Sequence, residues 1–258
     1  MQINILAVGD VVAKSGLDCL KRRLPSIIAM RGIAFTVVNG ENASLMGITP
    51  QQAEEIFDAG ADVITLGNHI YNRREIIPYL EETPDIIRPL NLAPQAPGKG
   101  YVLVERSFGT VLVANLLGRC GMDFGPDNPF LAADRLLEEN KAAISLIDFH
   151  AEATSEKLAL AHHLDGRVTA LWGTHTHVQT SDNMVLPRGT GYVTDIGMTG
   201  PKNSVIGIKA EQSVSMFLGN PRSRFEAAPG PAKMECAVFT VDTKTGLTQD
   251  VEVLRIHD

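Results

Sequence analysis

Ala34-Phe35-Thr36-Val37-Val38-Asn39-Gly40-Glu41-Asn42 is the segment on which the fold of this chain turns. Residues of strong β character run unbroken from Ala34 to Val38 into a polar cluster. Thr49-Pro50 then opens a helix to about Ala59, with threonine as N-cap and proline at the first helical position. An apolar run without alternation is what a strand buried on both faces requires. The same unit stands on either side of it. Ile3 to Val8 leads into Gly9-Asp10, after which Leu17, Leu20, Leu24, Ile27 and Ile28 follow helical spacing. Asp62 to Leu66 leads into Gly67-Asn68-His69, with a helix expected near Arg73 to Glu81. Strands alternating with helices in this way are parallel and joined by right-handed crossovers.

Further along the pattern is more mixed. Tyr101 to Glu105 and Val111 to Asn115, separated by Ser107-Phe108-Gly109, read as a hairpin. A helix is expected from Pro129 to Asn140, and another from Glu152 to His163 between the buried strands Ile144 to Asp148 and Val168 to Trp172. The C-terminal third is richer in strands, at Gly191 to Val193, Ile206 to Ile208, Ala232 to Val241 and Leu247 to Leu254. No low-complexity linker or shift of composition marks a boundary, so residues 1–258 are expected to form one α/β domain with a mixed sheet or two packed sheets.

Composition excludes several classes. The chain is 44% hydrophobic and 21% charged, which fits a globular protein and not a disordered or collagen-like one. Thirty acidic against 23 basic residues give a formal charge of −7, which disfavours coating duplex nucleic acid but not binding a small phosphate ester in a locally positive pocket. Cys19, Cys120 and Cys236 are odd in number and lack Cys-x-x-Cys spacing, so neither a disulfide framework nor a thiolate zinc site is supported. With no basic leader before Gly9-Asp10 and no window near ~18 apolar residues, the expected location is the cytoplasm and no membrane partner is expected.

The reactive side chains follow the strands. Five apolar runs are each followed within a few positions by metal-binding groups: Asp10, Glu41 with Asn42, Asn68 with His69, His150, and His175 with His177. Ligands of open α/β sheets gather outside the carboxyl ends of the strands, so five such loops can build one site. Carboxylate, amide and imidazole ligands without thiolate suit iron, manganese or zinc in a hydrolytic centre. Six or seven ligands exceed one tetrahedral ion and match a pair of ions with a bridging carboxylate. Glu41 is the candidate bridge, because Gly40 lets the chain turn sharply, and His175-x-His177 places two imidazoles on one side of an extended segment. Each piece alone has an ordinary alternative. Gly9-Asp10 is a turn with a capping aspartate, Asn39-Gly40 a turn dipeptide, Asn68-His69 a bonded loop pair, and His150 a satisfied core histidine. His162 and His163 share an exposed helix face, and His257 has no argued role. Asp148 and Asp182 are candidates to orient ligand imidazoles, and Gly197 to Gly200 either approaches the site or is a plain turn.

Taken in order, Gly9-Asp10, Asn39-Gly40-Glu41-Asn42, Gly67-Asn68-His69, Asp148-Phe149-His150 and Gly173-Thr174-His175-Thr176-His177 resemble the motif series of the calcineurin-like metallophosphoesterases. Glu41, where most of that superfamily has aspartate, together with Asp148 to Lys157 and Thr194 to Pro201, is similar to the YmdB-like branch of 2′,3′-cyclic-nucleotide 2′-phosphodiesterases. The resemblance implies a four-layer α/β/β/α sandwich with mixed sheets. It implies one ion held by Asp10, Glu41, Asn42 and His177 and another by Glu41, Asn68, His150 and His175, with iron expected and manganese or zinc as substitutes. Homo-oligomers are common in the family. The first loop departs from the family, which usually has a second glycine, a proline and an arginine where this chain has Ala13, Ser15 and Leu17.

The chemistry this implies is in-line attack on phosphorus by a water shared between two ions. His69, beside the ligand Asn68 but not itself a ligand, protonates the leaving oxygen, and its alternative is to orient a phosphate oxygen. The expected substrate is a small phosphodiester, a 2′,3′-cyclic nucleotide opened to the 3′-nucleotide. The competing readings are a phosphomonoesterase or nucleotidase on the same metals, and a metal-binding regulatory protein acting through protein contacts.

Overall fold

Ile5 and Ala7 belong to one buried cluster and Leu6 and Val8 to another, so the first strand is apolar without a break from Ile5 to Val8, where both of its faces are covered. The computed structural model describes residues 1–221 and 224–258. Its first sheet runs β2 (Asp10–Val11), β12 (Met198–Pro201), β13 (Ala232–Asp242), β1 (Gln2–Val8), β3 (Ile33–Asn39), β4 (Val63–Thr65) and β5 (Ile86–Ile87), with β14 (Leu247–His257) paired along β13. β1, β3, β4 and β5 are parallel, and β13 lies antiparallel to β1. The second sheet runs β10 (Met184–Val185), β11 (Gly191–Val193), β9 (Ala170–Thr174), β8 (Ile144–His150), β7 (Gly109–Leu117) and β6 (Tyr101–Arg106), with antiparallel strands only at its edges.

The inner faces meet in a core that includes Phe35, Val113, Leu146, Trp172 and Phe239. Helices α1 (Ala13–Arg31), α2 (Pro50–Asp58) and α3 (Ile76–Glu82) place Leu20, Leu24, Ile56 and Leu80 against the outer face of the first sheet. Helices α4 (Pro129–Glu139) and α5 (Thr154–Leu164) place Ala133, Leu160 and Leu164 on the outer face of the second. The order of layers is α/β/β/α, with mixed sheets. A sixth helix, α6 (Ala210–Phe217), lies in the excursion between β12 and β13.

Local signals account for the element ends. Thr49 accepts from the Gln52 amide while Gln52 bonds back to Thr49, so α2 starts with a full capping box. No side-chain cap marks the start of α3, which begins at Ile76, three residues later than the periodicity predicts. Ile206 to Ile208 forms no strand, because Val205, Ile208 and Ala227 make only isolated bridges across an irregular excursion. Among the described residues, no helix is long and apolar enough to cross a membrane.

Asp148 joins the two sheets beneath their carboxyl ends. Buried on β8, it accepts from Thr174 Oγ1 on β9 at 2.7 Å, from Asn39 Nδ2 on β3 at 3.2 Å, and from Thr65 Oγ1 on β4. Burial raises its carboxyl to about 6 despite these bonds.

Candidate metal centre

Five loops meet where β1, β3, β4, β8 and β9 end. His150 Nε2 stands 3.0 Å from Glu41 Oε1, 3.0 Å from Asn68 Oδ1 and 3.1 Å from His175 Nδ1. Glu41, His150 and His175 present ligand atoms within 4.8 Å of one another. Beside them, Asp10 Oδ1 lies 3.7 Å from His177 Nε2, and Asp10 Oδ2 accepts the His175 amide at 3.3 Å. Of the seven residues expected as ligands, Asp10, Glu41, Asn68, His150, His175 and His177 are linked by these contacts, and Asn42 lines the same cavity as Glu41, His175 and His177.

The centre fits cations on three observations. First, Asp10 Oδ1 and Asn42 Oδ1 are buried acceptors without a hydrogen-bond partner, which protein interiors rarely leave unsatisfied. Second, space is kept between the ligands at Gly67, where a Cβ would lie 2.5 Å from His150 Nε2 and press on Glu41 Oε2. Third, each of these three imidazoles has a polar partner near its outer nitrogen. Thr174 Oγ1 lies 2.9 Å from His150 Nδ1, the Ile206 carbonyl 2.9 Å from His177 Nδ1, and Glu152 Oε2 3.3 Å from His175 Nε2. Such outer partners fix ring orientation and tautomer in metal centres. Thr174 in turn donates to Asp148, so that aspartate orients His150 through the hydroxyl. Asp182 does not reach an imidazole and instead accepts from Thr180 and Thr194.

The charges agree. Burial works against ionised Glu41, but His150 and the His69 amide outweigh it and hold the carboxyl at about 2. Burial first, then the neighbouring His150, lowers His175 to about 3, leaving it a neutral donor of its lone pair. Burial alone would lower His150, yet Glu41, Asp10 and Asp148 raise it to about 9, so this anionic nest draws a positive charge to its centre.

Two geometric expectations are corrected. Gly40 does not make a left-handed turn. It is small because a Cβ would crowd Ile48 and Ile64 at 3.0 Å, so the glycine lets helix-side apolar groups close against the strand end. His175 and His177 are not on an extended segment. Their φ values of 97° and 61° are positive, and His175 Nδ1 faces His150 while His177 Nε2 faces Asp10. Leu45 and Ile206 share this strain with φ of 69° and 48°, and all four residues line the same cavity of about 380 Å³.

His69 also lines this cavity. Its amide donates to Glu41 Oε2 at 3.1 Å, and its Nδ1 is 3.5 Å from Asn72 Nδ2. Met198 of β12 pairs with Asp10, and a Cβ at Gly9 would strike the Gly197 carbonyl, so the segment from Gly197 to Gly200 does pack directly on the Asp10 loop. Of the departures in the first loop, Leu17 is buried in the helix-side core and Ala13 takes φ of 57°, where a glycine would be unstrained. Glu152, Thr174 and the cavity wall of Leu45, Met46, Ile206 and Phe225 were not legible as site residues. Glu152 and Thr174 stand inside the motif segments quoted above, where nothing local assigns either a role at the site.

A family model described as YmdB-like protein matches residues 6–254. The chain is 41% identical to a 2′,3′-cyclic-nucleotide 2′-phosphodiesterase of Bacillus subtilis over 99% of its length and 98% of the relative's. A crystal structure of a hypothetical protein from Thermus thermophilus matches with TM-score 0.92 at 40% identity, covering 99% of this chain and all of the other. The crystal structure of a phosphatase from Mycoplasma pneumoniae matches with TM-score 0.94 at 34% identity, covering 100% of this chain and 94% of the other.

Proposed function

The chain belongs to the YmdB-like family, and on that premise we propose that it is a metal-dependent phosphodiesterase that opens 2′,3′-cyclic nucleotides to 3′-nucleotides. The observation that supports this reading is the cluster of Glu41, His150 and His175 ligand atoms within 4.8 Å of one another, with Asp10 and His177 beside it and a polar partner near the outer nitrogen of each of the three imidazoles. Asp10, Glu41, Asn42 and His177 would hold one ion, and Glu41, Asn68, His150 and His175 the other. Iron is the expected metal, with manganese or zinc as substitutes. Two bound cations supply a water of lowered pKa and positive charge against the phosphoryl oxygens.

The chain's own residues do the rest. The Asp148–Thr174–His150 relay and the Glu152–His175 pair keep the imidazoles turned inward. Leu45, Met46, Ile206 and Phe225 wall the cavity and limit the water that reaches the phosphorus. His69, inside that cavity and outside the donor nest, delivers a proton to the 2′ oxygen as its bond to phosphorus breaks, leaving the phosphate on the 3′ oxygen. The protein is expected to act in the cytoplasm as one metallophosphoesterase domain and to form homo-oligomers.

The test compares 2′,3′-cyclic AMP and a bis-aryl phosphate with an aryl monophosphate, in iron or manganese. The diesters should turn over faster, and faster turnover of the monoester would move the assignment to a nucleotidase. His69→Ala should keep both ions by elemental analysis and lose about 10²–10⁴-fold in turnover of the cyclic nucleotide. Loss of metal in that variant would make His69 a ligand.

A further inference from the structure

A second cavity, of about 470 Å³, opens beside the metal centre and is bordered by Arg73 and Arg224. It shares Leu45, Met46 and Phe225 with the cavity that contains His69, His175 and His177. The two are thus halves of one cleft, with an apolar shelf between a phosphate-directed centre and a pair of guanidinium groups. Among the described residues neither arginine forms an ion pair, unlike Arg22, Arg31, Arg106, Arg167 and Arg255 but like Arg74, Arg88, Arg119, Arg135 and Arg188. Two like charges lining one cavity repel, and in a chain of net charge −7 nothing in composition forces them together.

Both arginines are carried on anchored backbone. Gly47 has φ of 86°, and a Cβ there would meet Arg73 Cγ at 2.9 Å, so the 44–47 loop closes directly on Arg73. Among the described residues the guanidinium of Arg73 makes one long contact, 3.5 Å to the Ser44 carbonyl, and the residue is exposed where it lines the cavity. Gln212 of α6 donates to the Arg224 carbonyl at 2.9 Å and accepts the Glu226 amide at 2.8 Å, which fixes the segment that presents Arg224 and Phe225.

Given the phosphodiesterase reading on which this rests, we propose that Arg73 and Arg224 form a second anion subsite, which receives the phosphate on the 5′ side of a nucleotide whose 2′,3′-cyclic phosphate lies at the metal centre. The order of chemistry along the cleft matches such a ligand: metal donors for the cyclic phosphate, Phe225 and Met46 beside the nucleoside, and two guanidiniums for the far phosphate. Guanidinium groups bind phosphate by paired charge-assisted hydrogen bonds, and an aromatic ring accepts a base face of any identity. The preferred substrate is then a nucleotide with a phosphate at each end of its ribose, either a 5′-phosphorylated mononucleotide or the 3′-terminal residue of an oligoribonucleotide.

The experiment measures kcat/KM of the metal-loaded enzyme for three compounds: 2′,3′-cyclic AMP, the same nucleotide carrying a 5′-phosphate, and a dinucleotide ending in a cyclic phosphate. A second phosphate should raise kcat/KM about tenfold, the size expected of a charge-assisted contact. In the Arg73→Gln/Arg224→Gln double variant the ratio should fall towards one, and in wild type it should shrink as salt rises. Preference for the 5′-monophosphate over the dinucleotide would identify mononucleotides as the source, and the reverse order an RNA end. Equal kcat/KM for all three in wild type, or a ratio unaltered in the double variant, overturns the subsite. Absence of turnover for every cyclic compound would instead defeat the phosphodiesterase reading. The subsite is then read by calorimetry with adenosine 3′,5′-bisphosphate against adenosine 3′-phosphate, where equal affinity in wild type overturns it.

Discussion

Lys157 donates to Asp195 Oδ2 at 2.9 Å in a place where each side chain is only 1% exposed. The same oxygen accepts Thr176 Oγ1 at 2.8 Å, and Oδ1 accepts the Gly197 amide at 2.9 Å. The pair therefore holds Thr176, between the two left-handed histidines, to the turn that leads into β12. A carboxylate this deep is tolerated because every one of these donors faces it.

Lys157→Ala removes the cation and leaves Asp195 charged in the interior. Stability should fall by about 3–5 kcal/mol. Denaturant unfolding of the variant checks this, and a loss below ~1 kcal/mol would show that water enters to replace the ammonium.

Metal occupancy should separate bridging from supporting residues. Glu41→Ala takes away the carboxylate proposed to serve both ions and should abolish full loading, read by elemental analysis. Glu152→Ala only frees the outer nitrogen of His175, so affinity should drop by ~10-fold, the low end for outer partners of ligands, because Glu152 is largely exposed. Equal losses in the two variants would make Glu152 a ligand.

Ala13 holds φ of 57° at the start of α1. An L-residue pays in strain for that conformation, and glycine does not. Ala13→Gly should raise stability by about 1 kcal/mol, visible as a higher denaturation midpoint with unchanged m-value. A lower midpoint would mean that the Ala13 methyl, packed with Val12 and Met198, contributes more than the strain costs.

The pH dependence of stability has a defined contribution from Asp182. Burial acts to raise its carboxyl, but bonds from Thr180 and from the hydroxyl and amide of Thr194 outweigh it and lower the folded value below the ordinary 3.8. A lowered carboxylate stabilises the fold at pH above its unfolded value, and that stabilisation is lost as pH falls through the folded one. Asp182→Asn should therefore show a shallower loss of stability than wild type between about pH 5 and pH 2. An identical acid limb in the two proteins would show that the bonds to Thr180 and Thr194 do not favour the charged form.

Much of this was open to reading because the signals are local. The buried strands, the capped helix from Pro50 and the polar clusters after each strand depend on residues a few positions apart, and the positions of Glu41, His150 and His175 at strand ends already suggest a shared site. The reading failed where local rules had no purchase. Gly40 is a packing glycine and not a turn glycine, since the groups it admits, Ile48 and Ile64, come from elsewhere in the chain.

The alternation of strands and helices and the set of chemical groups at the strand ends are written in the sequence, because periodicity and side-chain type are properties of short stretches. How those groups are held, and what lies beside them, is a matter of tertiary packing. Asp148 meets Thr65 and Asn39 across the gap between two sheets, Glu152 meets His175, and Arg224 comes to the cavity of Arg73 from 151 positions away. Each of those meetings depends on how distant segments pack, and the positive φ of His175 and His177, uncommon for any residue with a side chain, is held by the surrounding fold.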